Sequence, residues 1–257
     1  MERGDSVRVE DPGYLRAKNL TEKIAAEVGD PEFYRHHHEA VSESVRLYEN
    51  SPMVRDCLGI VSGYGDCYGH GLTHIRKVAL DAGAIMLIEL KREPLTPDSG
   101  QLVRLAHLAG LLHDVRRREK NHAKRGAEEA AGILANFDLS KGESSAIVRA
   151  ISNHEAFQPQ EPLENPDDQL LSDTLYDADK FRWGPDNFTE TLWAMLASRK
   201  APLSAVFRHF LPGLEGIRRV RDTFRTETGR KYGPDFIDRG LEIGRRFYEE
   251  RSSLQID

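Results

Sequence analysis

The chain is predicted to fold as an all-α protein. Helix-start signals recur along it, and apolar residues return at helical spacing; no Asn-Gly hairpin signal or sustained period-two alternation interrupts them. About ten helices are expected on this pattern. Two or three fill residues 12–62, one opening at Asp30-Pro31-Glu32 with an N-cap, a first-turn proline and an early acid. The next spans about 71–92 and carries His74 near its start. Thr96-Pro97-Asp98 repeats the start signal for a helix over about 97–115 that ends with His113 and Asp114. Helices follow at about 123–137 and 141–156, the latter opened by Ser140 and Glu143 as a capping box. Another covers about 167–182, and two or three close the chain, the last at about 234–251. Loops are read at Ser62-Gly63-Tyr64-Gly65-Asp66, at 157–166 and at Trp183–Asn187.

At 257 residues the chain is long enough to bury a core without disulfides. Hydrophobic residues at 39% and charged residues at 30% exclude a disordered chain. The formal net charge of −6 argues against broad nucleic-acid binding but leaves room for a local basic pocket. No apolar stretch is long enough to span a membrane, and Met1-Glu2-Arg3-Gly4-Asp5 lacks a signal-peptide core. Cys57 and Cys67 fit no zinc-finger spacing and read as reduced thiols. The expected location is cytoplasmic, and the expected organisation is one globular unit over 1–257.

His113-Asp114 is the most informative pair. It ends the apolar run Leu105–Leu112, where two polar side chains are costly unless something compensates them. His74 stands upstream, and His122, His154 and Asp179 downstream. Together they supply four imidazoles and two carboxylates, enough donors for one or two divalent ions. Arg116, Arg117, Arg118, Lys120, Lys124 and Arg125 place six basic residues within ten, read either as a solvated face or as a phosphate grip. Asp177 lies beside Asp179, and one of the two is expected to face inward.

These segments resemble the HD-domain superfamily of metal-dependent phosphohydrolases. Leu111-Leu112-His113-Asp114-Val115 is similar to its LLHDI segment, and His122-Ala123-Lys124-Arg125-Gly126-Ala127 to its HxxxGA helix start. Ala150-Ile151-Ser152-Asn153-His154 resembles its AIxxH segment, and Asp177-Ala178-Asp179-Lys180-Phe181 its DADKL segment. The match covers residues 70–182 as a core, with helical additions at 1–69 and 183–257. The cyclic-dinucleotide phosphodiesterase branch carries Gly-Lys after the His-Asp pair and a later His-His pair; here Arg116-Arg117 and a single His154 stand instead.

The resemblance implies an HD-domain-like helical bundle in which His74, His113, Asp114 and Asp179 bind a first metal. It implies His122 and His154 for a second, with Asp114 as the bridge. The expected cofactor is one or two divalent ions, of Mn, Fe, Ni, Co, Zn or Mg. Asp114, His122 and Lys180 are the expected catalytic residues, and Arg116, Arg117, Lys124 and Arg125 the substrate-binding ones. The implied activity is hydrolysis of phosphate esters of nucleotides or small phosphorylated metabolites by metal-activated water. A di-iron oxygenase and a non-catalytic, metal-stapled ligand-sensing module are the alternatives.

His107 is read as a satisfied core histidine, His70 as a loop residue, and His36-His37-His38 as three divergent side chains. Phe181, Trp183 and Phe188 read as core ahead of pocket lining. The pattern Leu214, Ile217, Val220, Phe224, Phe236, Ile237, Leu241, Ile243, Phe247 fits either an amphipathic core or a homodimer surface.

Overall fold

The computed structural model describes residues 12–64, 71–90, 97–199 and 203–254. Among these the fold is all-α, with no strand. The helices are α1 (Pro12–Val28), α2 (Glu32–His36), α3 (His38–Asn50), α4 (Pro52–Val61), α5 (Leu72–Leu90) and α6 (Pro97–Leu112). They continue with α7 (His122–Leu134), α8 (Lys141–Ser152), α9 (Pro166–Phe181), α10 (Leu192–Arg199), α11 (Leu203–Arg218) and α12 (Glu227–Glu249). Cys67, His70, Thr96 and the Met1–Asp5 segment lie outside the described residues.

α5 is the central element. Its residues 81–87 are buried on every side, because α3, α6, α9 and α12 all pack on it. The α5–α6 crossing is close: a Cβ on Gly110 would lie 2.4 Å from the Ala79 Cα, so only glycine lets the two backbones approach. Gly83 opens the space that His107 fills, since a Cβ there would meet the ring at 2.2 Å. His107 is buried, with its Nε2 3.0 Å from Ser44 Oγ, which donates to Leu80 O at 2.7 Å. Burial pushes its pKa down to about 3, so the ring is neutral, the satisfied core histidine expected.

Several ends follow the sequence signals. Ser140 and Glu143 form the reciprocal capping box of α8. Asn165 caps α9 by accepting from Asp167 N at 2.8 Å. Other ends differ from expectation. α6 stops at Leu112, so His113 and Asp114 lie in the turn beyond it. α8 stops at Ser152, leaving His154 outside. α12 begins at Glu227, well before Pro234, because Thr226 Oγ1 caps Gly229 N at 2.8 Å and the helix continues through the proline. Asp30 does not cap α2; Asp235 of α12 accepts the Glu32 N–H at 2.8 Å instead. His37, at φ −120° and ψ 30°, breaks α2 from α3 and lays its ring edge-on to Tyr232, while His36 and His38 are exposed.

The flanking helices pack onto this centre. α12 touches α2, α5 and α9, and α1 and α11 pack on α12. Phe181 stacks on Phe236 with centroids 4.0 Å apart, and Phe188 is buried. Ile217, Val220, Phe224, Phe236, Ile237, Ile243 and Phe247 are buried within the chain, with Leu214 and Leu241 half-buried against them. Cys57 is a buried thiol whose pKa burial raises to about 12. No helix among the described residues is long and apolar enough to cross a membrane.

Candidate metal centre

The site lies where α5 begins, α6 and α8 end, α7 begins and α9 nears its end. His74 comes from the first turn of α5 and Asp179 from the last turn of α9. His113 and Asp114 follow α6, and His154 follows α8. His74, His113, Asp114, His154 and Asp179 are all buried; His122, the first residue of α7, is half-buried.

The distances define two poles around one carboxylate. His74 Nε2 lies 3.3 Å from His113 Nε2 and 3.4 Å from Asp179 Oδ1, and His113 Nε2 lies 3.6 Å from that same oxygen. Asp114 Oδ2 completes this pole, 3.4 Å from His113 Nε2 and 3.7 Å from His74 Nε2. Asp114 Oδ1 faces the other way, 3.6 Å from His154 Nε2 and 3.8 Å from His122 Nε2. Among the described residues, two groups of donors are close enough to share an ion: His74–His113–Asp179 and His113–Asp114–His154.

Backbone carbonyls fix which nitrogen faces inward. His113 Nδ1 donates to Gly110 O at 2.8 Å, and His154 Nδ1 donates to Ile151 O at 2.6 Å. Each ring therefore turns its Nε2 to the centre, the orientation that metal-ligating histidines take. The buried His154 Nε2 has no hydrogen-bond partner. Imidazole and carboxylate donors at this spacing fit a divalent transition metal.

The charges act on one another. Burial alone would pull the His113 pKa down; the Asp114 and Asp179 carboxylates outweigh it and raise the value to about 10. Burial pushes Asp179 upward, yet Lys180, His113 and His74 hold it well below the usual carboxylate range. Lys180 is buried with its Nζ on Asp179 Oδ2 and 4.9 Å from the Tyr176 ring centroid, so it turns Oδ1 toward the histidines. Burial and the Arg117 guanidinium lower the His122 pKa to about 4, leaving that ring neutral at pH 7.

Asp177 serves a different end. Both acids of the pair are buried, not one, because α9 is enclosed on two sides. Asp177 accepts from Arg225 N and Thr226 N, each at 2.8 Å, and from Thr226 Oγ1 at 2.7 Å, tying α9 to the start of α12. Asp177→Ala is expected to cost about 3 kcal/mol of stability by orphaning these donors, with metal affinity held within about threefold. Thermal melts and metal titration of the same variant check both halves.

The basic segment divides. A cavity of about 210 Å³ beside Asp114 is walled by Arg116, Arg117, Arg118, Tyr64 and Ile75 among others. Arg116 also pairs with Glu129 at 2.7 Å, and Arg117 NH1 donates to His122 Nε2 at 2.6 Å. Lys124 and Arg125 are exposed on α7, away from that wall, with Arg125 paired to Glu128 at 2.9 Å.

Three supports had no sequence signal strong enough to single them out. Glu155 Oε2 lies 3.8 Å from His122 Nδ1. Arg225 donates through NH1 and NH2 to Asn153 O at 3.1 Å, bracing the turn that presents His154. Arg182 bonds Asp81, Asp186 and Tyr34, locking α9 to α5 one turn from Asp179. Glu155 alone had a cue, its place directly after His154.

In the comparison with solved structures, the chain is similar to a crystal structure described as a predicted HD superfamily hydrolase from an uncultured Thermotogales bacterium. Identity is 25%, the TM-score is 0.49, and the match covers 80% of this chain and 97% of that one. No protein-family model matches the chain, and no curated protein does.

Proposed function

We propose that this chain is an HD-type metal-dependent phosphohydrolase that cleaves phosphate esters of nucleotides or small phosphorylated metabolites. The observation that carries the reading is convergence: His74, His113, Asp114 and Asp179, from three separate stretches, meet in a buried cluster beside an arginine-lined cavity. A buried group of like donors is costly unless a cation compensates it. A divalent ion held there supplies Lewis acidity, making water more acidic and drawing charge from a phosphoryl oxygen.

The chain's own groups do the rest. Asp114 offers one oxygen to each pole and orients the water that attacks phosphorus. Arg117 donates to a phosphoryl oxygen in the cavity. Lys180 fixes the Asp179 carboxylate. Burial of the cluster excludes bulk water from all but the cavity side.

The test is metal analysis of protein purified without chelator, followed by a panel of nucleotide and sugar phosphates. Release of inorganic phosphate that chelator stops and metal restores is the expected result. Metal-loaded protein that turns over nothing overturns the reading, as does iron with the optical signature of a mixed-valence pair. A pH dependence follows from His113. Its proton, held up to about pH 10 in the metal-free protein, must leave when a cation enters. Apparent metal affinity is therefore expected to rise about tenfold per pH unit from about pH 6 to 9, with about one proton released per ion. Titration calorimetry in buffers of different ionisation enthalpy measures both.

A further inference from the structure

We infer that Arg117 occupies the position of a second cation, so that the centre works with one metal ion and one guanidinium. The inference rests on the metal-centre reading above and goes further by fixing the ion count. Arg117 NH1 lies 2.6 Å from His122 Nε2 and 3.8 Å from Asp114 Oδ1, against two of the three donors that face the second pole. A guanidinium has only donors, so the His122 Nε2 lone pair is spent on it. His122 then carries its proton on Nδ1, toward Glu155 Oε2 at 3.8 Å. Consistent with this, His122 belongs to neither group of described donors close enough to share an ion.

Local chain geometry holds the arrangement. The turn after α6 closes with Arg117 N donating to Asp114 O at 3.0 Å, which brings the arginine back over the carboxylate. Asn121, in the left-handed region at φ 56°, precedes α7, whose first residue is His122. With His122 engaged and His113 Nε2 committed to the first pole beside His74 and Asp179, Asp114 and His154 are the donors left at the second, fewer than the three protein ligands of a catalytic zinc site. A dication beside a fixed guanidinium is also repelled. Arg117 thus supplies positive charge to a phosphoryl group at the place where a second ion would supply it.

The experiment is equilibrium dialysis of the full chain against Mn²⁺, with bound metal counted by plasma mass spectrometry. The expected stoichiometry is about one ion per chain for the wild type and about two for Arg117→Ala, the released His122 completing the second site. Arg117→Gln, which keeps a polar side chain in the turn, should also reach about two. His122→Ala in the wild-type background should stay at about one. A wild type that takes up two ions, or Arg117 variants that remain at one, overturns the inference while leaving the metal centre intact. A wild type that binds no ion overturns the metal-centre reading itself, and this inference with it.

Discussion

Asp114→Asn is expected to lose activity by at least about 10³-fold and metal affinity by at least about 100-fold, with the fold retained. Among the described residues, Asp114 is the one with an oxygen at each pole, Oδ2 near His74 and His113 and Oδ1 near His122 and His154. Asparagine keeps its shape but removes the charge and turns an N–H₂ donor on one set of imidazoles. Circular dichroism and a melt in chelator establish that the variant folds; dialysis and a phosphate-release assay give the two losses. A variant that retains full activity with normal metal content would remove Asp114 from the mechanism.

Gly110→Ala is the largest expected effect away from the ligands. The new methyl would sit 2.4 Å from the Ala79 Cα, and backbone cannot rotate out of the way. Relief requires α5 and α6 to separate along their shared face. Overpacking of this kind costs about 3 kcal/mol, which for a chain this size is a fall of about 10 °C in Tm. The same shift moves His74 relative to His113 and disturbs the Gly110 carbonyl that orients the His113 ring. Metal affinity is therefore expected to fall by about tenfold or more. Gly132→Ala is the control, since nothing lies within 4 Å of its Cβ, and it should leave Tm unchanged or slightly raised. Equal melting of the two variants would mean that the α5–α6 contact is looser than described.

The all-α class was legible because helical periodicity and capping are local signals, as the Ser140–Glu143 box illustrates. The residues that converge at the candidate centre were legible because each sits in a short segment whose residues can be read together. What escaped depends on contacts far apart in the chain. Pro234 looks like a helix start, yet Thr226 caps earlier and Asp177, 49 residues away, holds that cap in place. Asp30 looks like a cap, yet Asp235 does the work across the fold. The basic run after Asp114 reads as one patch; three-dimensional neighbours sort it into Arg117 on His122, Arg116 on Glu129 and Arg125 on Glu128. Arg182 and Asp81 are separated by 101 residues, and no local pattern could announce their pairing.

The donors differ in what carries them. His74 and Asp179 are built into helices, and Arg182 binds those helices together. His113, Asp114 and His154 hang on turns just past helix ends. The candidate grip thus joins a helix-borne edge to turn-borne donors: an ion seated there would meet His74 and Asp179 on α5 and α9, and His113, Asp114 and His154 on turns, which are expected to adjust more readily than helices. Differences in ionic size should be absorbed as small displacements of residues 113–115 and 153–155, leaving the helical frame at rest.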